Sequence, residues 1–282
     1  MYLCSTTNKH LYPMTRIIAI ICALTMTLTS CKASTGSANA AADRITRTAT
    51  VSGTYKKVSV ENGIIVNYTA TPGAKTTTAE ISGTSEAVGR VIIEISDNEL
   101  EIRMTKRRSG SSSPAPIVHL SGLPVAEFET SSAAIININS SIKTSGKFEA
   151  EVGSGSIINI NRDITARDLD IDLSSGAVIN TSGKLTASQS CKIDASSGSA
   201  TNIGTVTCDH IDVDASSGAV ISVGGSAKTA DVDASSGAIL NLDKLQIKQY
   251  CNVDASSGAI INVAARDKVR GDKSSGAIIN YK

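Results

Sequence analysis

The sequence predicts an all-β protein that folds as a parallel β-helix with coils of about 20 residues. Two observations on pattern lead to this fold class: a nine-residue block recurs at nearly constant spacing, and apolar residues alternate with polar ones around it. A third observation is compositional. Hydrophobic residues make up 41% of the 282 residues, but aromatic residues only 3%, with no Trp. Such a core is built from Ile, Val, Leu and Ala, which stack well at the spacing of adjacent strands.

The repeated block reads acid-x-Ser-Ser-Gly-Ala-Ile-Ile-Asn, and positions in a coil are numbered here from its acidic residue, position 0. The acidic residues are Glu129, Glu151, Asp172, Asp194, Asp214, Asp233, Asp254 and Asp272. Position +4 holds Ala133, Gly155, Gly176, Gly198, Gly218, Gly237, Gly258 and Gly276. Position +8 holds Asn137, Asn159, Asn180, Asn202, Ser222, Asn241, Asn262 and Asn280. A degenerate earlier copy lies around Glu61-Asn-Gly63.

Each block predicts two strands joined by a turn. Positions −3 and −1 are apolar whereas −2 and 0 are mostly polar, which is the period-two alternation of a half-buried strand. Ser-Ser-Gly ends this strand because Gly readily takes a positive φ, and a β-branched strand then runs to the Asn. One coil cannot bury its apolar face alone, so neighbouring coils must stack. Identical residues then form columns about 4.8 Å apart, in which Asn side chains can hydrogen-bond to one another.

The N-terminus predicts a sorting signal. Arg16 precedes an apolar run from Ile17 to Leu28, which is too short to span a bilayer and is typical of a signal-peptide core. Leu28-Thr-Ser-Cys31 resembles a bacterial lipobox, in which the cysteine is lipidated, for example with palmitate, and becomes the N-terminus after cleavage. We therefore expect residues 1–30 to be a lipoprotein signal peptide, with Met14 as a possible true start, and Cys31 to carry the lipid anchor. The alternative is a plain secretory signal with an incidental cysteine.

The remaining chain divides into a tether and one β-helix. Residues 31–47 are small and polar and predict a flexible tether. Residues 48–282 predict the β-helix, with irregular N-terminal coils and a polar loop in 48–116 and the regular repeat array in 117–282.

These segments carry a family resemblance. The stretch from Tyr55 to Val66, the stretch from Asp97 to Ile102 and the Gly-Ala-Ile-Ile-Asn coils resemble the autotransporter adhesin head GIN domain family over about residues 50–282. The resemblance implies a right-handed, single-stranded parallel β-helix and an adhesin-like role of the kind found in Bacteroidetes lipoproteins and secreted proteins. It implies no catalytic residues.

The sequence does not predict an enzyme. A catalytic residue is singular, whereas the Ser pairs and the carboxylates recur from coil to coil, which indicates structure. His119 and His210 are the only histidines after the signal segment, and neither has an evident nucleophile partner in sequence.

Three cysteines remain outside the signal segment: Cys191, Cys208 and Cys251. Cys191 and Cys251 share position −3 but lie three coils apart, roughly 14 Å at the ladder spacing. A disulfide needs Cα atoms within about 7 Å. We therefore expect buried free thiols.

Stacked carboxylates are the most distinctive chemical feature. Position −2 adds Glu127, Glu149, Asp170, Asp212 and Asp231 to the column at position 0. Neighbouring carboxylates repel by roughly 3–4 kcal/mol per pair at an effective dielectric constant near 20. Lys192, Asn252 and Arg270 interrupt position −2 and relieve part of this.

Two explanations remain open for what offsets the remaining repulsion between the carboxylates. Each carboxylate could accept hydrogen bonds from the following Ser hydroxyls and turn amides, as in an Asx-type turn. Alternatively, the four carboxylates of Asp212, Asp214, Asp231 and Asp233 could bind Ca²⁺ through their oxygens.

A second column raises a question about curvature. Strict alternation turns position +6 away from the core, although it is aliphatic in nearly every coil: Ile135, Ile157, Val178, Val220, Ile239, Ile260 and Ile278. Either the chain bends and buries both columns, or one face carries an aliphatic stripe that would mark a partner surface. We expect the bend.

Together these features predict a membrane-anchored, non-enzymatic β-helical lipoprotein with an adhesion-like or envelope-scaffolding role. We expect it in the outer membrane, on either face, with a cell-surface protein or glycan as partner and no cofactor. The formal net charge of +1 gives no basic surface for nucleic acid. The alternative is a polysaccharide-binding or polysaccharide-cleaving β-helix.

Overall fold

Parallel strands stack coil upon coil in the computed structural model, which describes residues 27–29, 44–105, 114–264 and 269–281. Of the described residues, 67% are in strands and 3% in helix, and the strands form a β-solenoid of about 7 turns with about 21 residues per coil. The predicted all-β parallel helix is confirmed. Cys31, the tether up to residue 43 and most of the predicted signal peptide lie outside the described residues, as does most of the loop at 106–116.

The N-terminal elements are β1 (Thr27–Thr29), β2 (Arg44–Ser52), β3 (Lys57–Val60), β4 (Ile65–Ala70), β5 (Thr76–Thr84), α1 (Ser85–Arg90), β6 (Val91–Ser96), β7 (Glu99–Met104) and β8 (Ile117–Gly122). The array begins with β9 (Glu127–Thr130), β10 (Ile135–Ile138), β11 (Ile142–Lys143), β12 (Lys147–Val152), β13 (Ile157–Ile160), β14 (Ile164–Leu173) and β15 (Val178–Thr181). It continues with β16 (Leu185–Ala195), β17 (Ala200–Ala215), β18 (Val220–Ala234), β19 (Ile239–Ala255), β20 (Ile260–Val263), β21 (Val269–Lys273) and β22 (Ile278–Tyr281). No helix within the described ranges is long and apolar enough to cross a bilayer.

Coils pair in the register that the repeat predicts. On one side of the solenoid Asp172 of β14 pairs with Asp194 of β16, and on another Ile158 of β13 pairs with Ile179 of β15. Each column of the sequence repeat is therefore a column in space.

The turn between these two sides is tighter than the sequence suggested. In the coil of Asp194, the amide of Ser199 donates to the carbonyl of Ser196 (3.2 Å), while Ser197 has φ 53° and Gly198 has φ 70°. Positive φ at both central residues defines a type I′ turn. The predicted positive φ of Gly is confirmed, and the serine before it shares that conformation.

Aliphatic columns fill the interior. Ile179 and Ile261 are 0% exposed, as are most residues at the same position in other coils. The aromatic core residues gather near the N-terminal end, where the ring of Phe128 lies 5.1 Å from that of Tyr68 and 5.9 Å from that of Phe148.

The three cysteines are buried and free, as predicted. Burial raises the pKa of Cys208 and of Cys251 to about 12. These thiols are therefore protonated and unreactive at neutral pH.

The N-terminal coils do not stack in chain order. Strand β3 pairs with β7 on one side and β9 on the other, and β4 lies in the same way between β8 and β10. The coil formed first along the chain is thus second in space, and residues 117–122, which we assigned to the regular array, form the outermost coil. Strand β5 covers the edge of β8 and β6 covers the edge of β7, both antiparallel. These pairings cap the parallel sheets at this end.

One predicted boundary is wrong. Residues 44–47 were expected in the flexible tether, but they begin β2, which pairs antiparallel with β5 from Arg44 to Ser52. Four of the nine residue pairs between β2 and β5 involve residues 44–47, so this segment is part of the sheet. On its other side β2 pairs with β1, whose residues belong to the predicted signal peptide.

We predict that Ile261→Asp destabilises several coils, because it buries an unpaired charge in a column that is 0% exposed. Since coils stabilise only their neighbours, thermal unfolding should also become less two-state. Ile260→Asp, at the outward-facing neighbour, is the matched control and should cost much less. Calorimetry that found equal melting temperatures for both variants would contradict the inward assignment.

We predict the opposite effect for Thr201→Val. Thr201 is 2% exposed, occupies the column of Ile179 and Ile221, and its hydroxyl has no hydrogen-bond partner. Removing a buried unsatisfied hydroxyl should stabilise the fold by about 1 kcal/mol and raise the melting temperature by about 2–4 °C.

Thr130→Val is the control for this change, because the Thr130 hydroxyl donates to Ser156 Oγ at 2.9 Å. It should lower the melting temperature. A fall in both variants would mean that Thr201 has a partner, such as a buried water.

Candidate functional site

An acidic groove runs along the corner between the first two strands of each coil. One wall is the column of position 0 carboxylates, which pair in register from Glu129 to Asp272. The other wall consists of the residues at position +2: Ser131, Gly153, Ser174, Ser196, Ser216, Ser235, Ser256 and Ser274. Seven buried residues at position +1, four of them Ala, form its floor. The groove has a volume of about 870 Å³ and extends along eight coils.

Cations offset the repulsion at the N-terminal end of the groove. Lys57 lies between Glu129 and Glu151, with its Nζ 3.2 Å from Glu151 Oε2. The two carboxylates, together with burial that acts in the opposite direction, leave the pKa of Lys57 raised to about 12. Farther along, Lys147 bridges Glu149 (3.1 Å) and Asp170 (2.9 Å).

The pairing of Lys57 and Lys147 with the acidic column was not predicted from the sequence. Aligning the degenerate first copy on Gly63 and Asn67, rather than on Glu61, places Lys57 at position −2, beside Glu127. That alignment would have revealed a base in the acidic column.

Two of the predicted interruptions in position −2 act as expected. Lys192 Nζ lies 2.6 Å from Asp194 Oδ2, and Asn252 Nδ2 donates to Asp231 Oδ1 at 2.7 Å. His210 adds a further contact, with Nε2 3.6 Å from Asp231 Oδ2 and Nδ1 2.8 Å from the Thr229 hydroxyl oxygen.

The middle of the groove holds carboxyls with raised pKa values. Burial raises the pKa of Asp172 to about 6, helped by the charge of Asp170 and a hydrogen bond with Asp194. Burial likewise raises the pKa of Asp214 to about 6, helped by Asp212 and Asp194. The pKa of Asp233 is also raised, first by burial and then by Asp254. A protonated carboxyl can donate to its neighbour, which removes one charge from the pair.

The turn amides do not donate to the carboxylate, as an Asx-type turn would require. In the coil of Asp194 the amides of Ser196, Gly198 and Ser199 donate to backbone carbonyls at 3.0, 3.0 and 3.2 Å, two of them in adjacent coils. The type I′ turn and the stacking of coils therefore use these donors, and the carboxylate is left facing the groove.

The four candidate calcium ligands do come together. Asp212 pairs with Asp231 and Asp214 with Asp233 on the adjacent strands β17 and β18. Across the described ranges, however, no three Asp, Glu, His or Cys side chains are arranged to hold a metal ion. Calcium binding by these residues stays a prediction.

A second outward surface lies on the other side of the turn, and we call it the aliphatic–amide face. Its first column is position +6: Ile117, Ile65, Ile135, Ile157, Val178, Ala200, Val220, Ile239, Ile260 and Ile278, in spatial order. Its second column is position +8: His119, Asn67, Asn137, Asn159, Asn180, Asn202, Ser222, Asn241, Asn262 and Asn280.

The bend expected to bury position +6 is wrong. Every member of this column is at least partly exposed, with Val220 38% and Ile278 48% exposed. The strand after the turn stays straight enough for period-two alternation to hold, so the aliphatic stripe exists.

The predicted amide ladder is confirmed. Asn159 Nδ2 donates to Asn137 Oδ1 at 2.8 Å, and the same bond recurs between Asn137 and Asn67 (2.9 Å) and between Asn262 and Asn241 (2.9 Å). Asn180, Asn241 and Asn280 donate to the preceding rung in the same way, and each of these donors has a second N–H that the ladder does not use.

Comparisons with known proteins agree with this architecture. A family profile described as "Putative auto-transporter adhesin, head GIN domain" matches residues 54–201 and 185–282. A crystal structure of a putative adhesin from Parabacteroides merdae is 15% identical, covers 84% of this chain and 96% of that one, and superposes with a TM-score of 0.69. A putative adhesin from Parabacteroides distasonis is 17% identical, with coverages of 84% and 94% and a TM-score of 0.61.

A third crystal structure, of a putative lipid binding protein from Parabacteroides distasonis, is 14% identical, with coverages of 84% and 94% and a TM-score of 0.53. At these identities the structures share the fold alone. No curated protein matches the sequence.

We predict that the protein becomes more stable as the pH falls from 7.5 to 5. The pKa of Asp172 and of Asp214 is about 6 in the folded chain against an ordinary value of 3.8. The folded state therefore binds these protons more tightly than the unfolded chain, and stability is gained as the pH falls through about 6. Both groups are only partly buried, so screening limits the gain to a few degrees in melting temperature.

Asp214→Asn should raise the melting temperature at pH 7.5 and reduce its pH dependence, because it removes one of the repelling charges. Asp168→Asn is the control: the Arg167 guanidinium and the Ser190 hydroxyl lower the pKa of Asp168, so its carboxylate is stabilised and its loss should lower the melting temperature slightly. A melting temperature that falls as the pH falls from 7.5 to 5 would show that the column is not under repulsion.

Proposed function

The chain belongs to the auto-transporter adhesin, head GIN domain family, and from this premise we propose that it is a membrane-anchored, non-enzymatic lipoprotein with an adhesion-like or envelope-scaffolding role. Two solved structures that share its fold are described as putative adhesins. An adhesin-like protein belongs at the cell surface or in the envelope.

Repetition of the outward side chains is the observation that carries the proposal. The acidic groove repeats a carboxylate over eight coils, and the aliphatic–amide face repeats an aliphatic residue and a polar residue, mostly Asn, over ten. Such surfaces suit an extended or repetitive partner, whereas catalysis needs one convergent set of groups. His210, a candidate acid or base, instead bridges Thr229 and Asp231 within a flat sheet.

The sequence and the position of the N-terminal cap both support a lipid anchor. The lipobox-like Leu28-Thr-Ser-Cys31 predicts lipidation at Cys31, and β2 begins at Arg44 in the cap. The intervening residues could extend about 45 Å. A lipid at Cys31 would hold the capped end toward the outer membrane and direct the C-terminal coils away from it.

A polysaccharide-binding or polysaccharide-cleaving role is the second candidate. The Ser-lined groove and the amide ladder offer polar groups of the kind that bind sugars. Sugar sites usually add aromatic rings for stacking, and in the described part of the chain the strongly exposed rings are those of Tyr250 (51%) and Tyr281 (38%). Neither lies in the amide ladder or among the residues that line the groove. We therefore favour protein-mediated adhesion.

The experiment combines lipid labelling with protease treatment of intact cells. Cells that express the wild-type protein should incorporate labelled palmitate into it, and external protease should remove it. In the Cys31→Ala variant, the label should be lost and the protein should leave the membrane fraction, because a single cysteine carries the anchor.

Label retained by Cys31→Ala would refute the anchor, and full protection from external protease would refute an adhesive role at the surface in favour of periplasmic scaffolding. A polysaccharide screen on the purified protein separates the second candidate: binding or cleavage there, without adhesion by expressing cells, would replace the proposal.

A further inference from the structure

The aliphatic–amide face is free of formal charge, unlike the rest of the solenoid surface. Neither of its columns contains an Asp, Glu, Lys or Arg over ten rungs, from Ile117 and His119 to Ile278 and Asn280. The groove on the other side of the turn carries a carboxylate on each of its eight rungs. Covering the aliphatic–amide face therefore costs no desolvation of ions, whereas covering the groove does.

The face also offers apolar area that the monomer leaves in water. All ten residues of position +6 are at least partly exposed, most strongly Val220 (38%) and Ile278 (48%). A continuous aliphatic stripe on a sheet is a feature of interaction surfaces.

The amide column limits the chemistry of the partner. Six ladder residues donate one N–H to the preceding rung: Asn137, Asn159, Asn180, Asn241, Asn262 and Asn280. The second N–H and a lone pair of the carbonyl oxygen of each can serve a partner. A partner must therefore present both donors and acceptors at these rungs. A second amide column meets this requirement, because an amide side chain is self-complementary.

The spacing of the rungs also favours a second copy of this chain as the partner. The rungs repeat about every 4.8 Å, so a partner that contacts all ten rungs must carry the same period. A second copy of this chain carries that period along the whole length of the face.

We propose that the aliphatic–amide face binds the same face of a second copy, with the two solenoids antiparallel. A two-fold axis in the plane of the interface and perpendicular to the solenoids lays position +6 on position +6 and position +8 on position +8. A parallel arrangement cannot match both columns at once, because its axis exchanges left and right across the face.

The area sets the strength of the contact. Ten rungs extend over about 43 Å, and two columns with their side chains are about 10 Å wide, which gives about 430 Å² per copy. Stable dimers bury about 800 Å² per partner. The contact is therefore weak and reversible in solution and gains strength where many copies are held on facing surfaces.

This inference deepens the proposed function and rests on it only for its setting. Antiparallel solenoids place their N-terminal caps at opposite ends, as two copies anchored to opposing membranes would do. The contact would thus be homotypic adhesion.

The experiment is carried out in solution on the full chain with Cys31→Ser, so that no lipid contributes. Sedimentation velocity should show a weight-average mass that rises with concentration. Val220→Lys places a charge on an exposed position of the face and should weaken association by about tenfold or more, which corresponds to about 1.4 kcal/mol. Thr165→Lys, on an exposed position of another face, is the matched control and should leave association unchanged.

Cysteine cross-linking tests the orientation. In the antiparallel arrangement the third rung faces the eighth, so a mixture of Asn137→Cys and Asn241→Cys proteins should form mixed disulfide dimers. The native thiols at Cys191, Cys208 and Cys251 are buried and should not interfere, and Cys4 and Cys22 are replaced by Ser together with Cys31. A parallel arrangement would instead link Asn137→Cys to itself.

A wild-type protein that stays monomeric at millimolar concentration would overturn the inference, as would equal weakening by Val220→Lys and Thr165→Lys. Links between identical rungs would overturn the antiparallel arrangement. These outcomes are independent of the proposed function, because a protein that associates in solution but is hidden from external protease would retain the contact and lose the adhesive role.

Discussion

Backbone hydrogen bonding between adjacent coils is the interaction on which the rest of this structure depends. A coil of about 21 residues has too little apolar surface to fold alone, so its strands are stable only when the neighbouring coils supply donors and acceptors on both sides. Parallel pairing in a constant register then places each residue directly above its counterpart in the preceding coil, as Ile179 lies against Ile158. Every other feature of the molecule is a consequence of that enforced stacking.

Stacking favours some side chains and penalises others. Ile, Val, Leu and Ala repeat inward because they pack at the rung spacing, and Asn repeats outward because one amide can donate to the next, as Asn159 does to Asn137. Carboxylates gain nothing from being stacked, and the acidic column is offset by lysines such as Lys57, while the pKa values of Asp172 and Asp214 are raised to about 6.

The ends of a solenoid present a separate problem, because the first and last coils lack one neighbour. At the N-terminal end β5 and β6 turn antiparallel against β8 and β7 and take up the backbone groups of the outermost coil. The two outward surfaces therefore start from a closed end, which is the end nearest the predicted anchor. The stacking of identical residues therefore produces two different surfaces on one fold. The acidic groove would repel the groove of a second copy, whereas the uncharged face would complement the same face of a second copy.

The sequence by itself determined the period, the inward and outward positions, the positive φ of residues such as Gly198 and the amide ladder, because each is a local property repeated from coil to coil. It also determined the free buried cysteines, because the repeat places Cys191 and Cys251 at an inward position too far apart for a disulfide. It did not determine the order of the first coils, since β3 pairs with both β7 and β9 and a strand does not encode which of two distant partners lies on each side. It also did not reveal Lys57 as a partner of Glu151, which depends on that order. The sequence also did not determine the curvature of the chain. Period-two alternation predicts that the side chain at position +6 points away from that at position +7, but only the tertiary structure decides whether the chain bends enough to bury both. At Val178 and Ile260 the strand stays straight, because the backbone ladder on either side holds it in register with its neighbours.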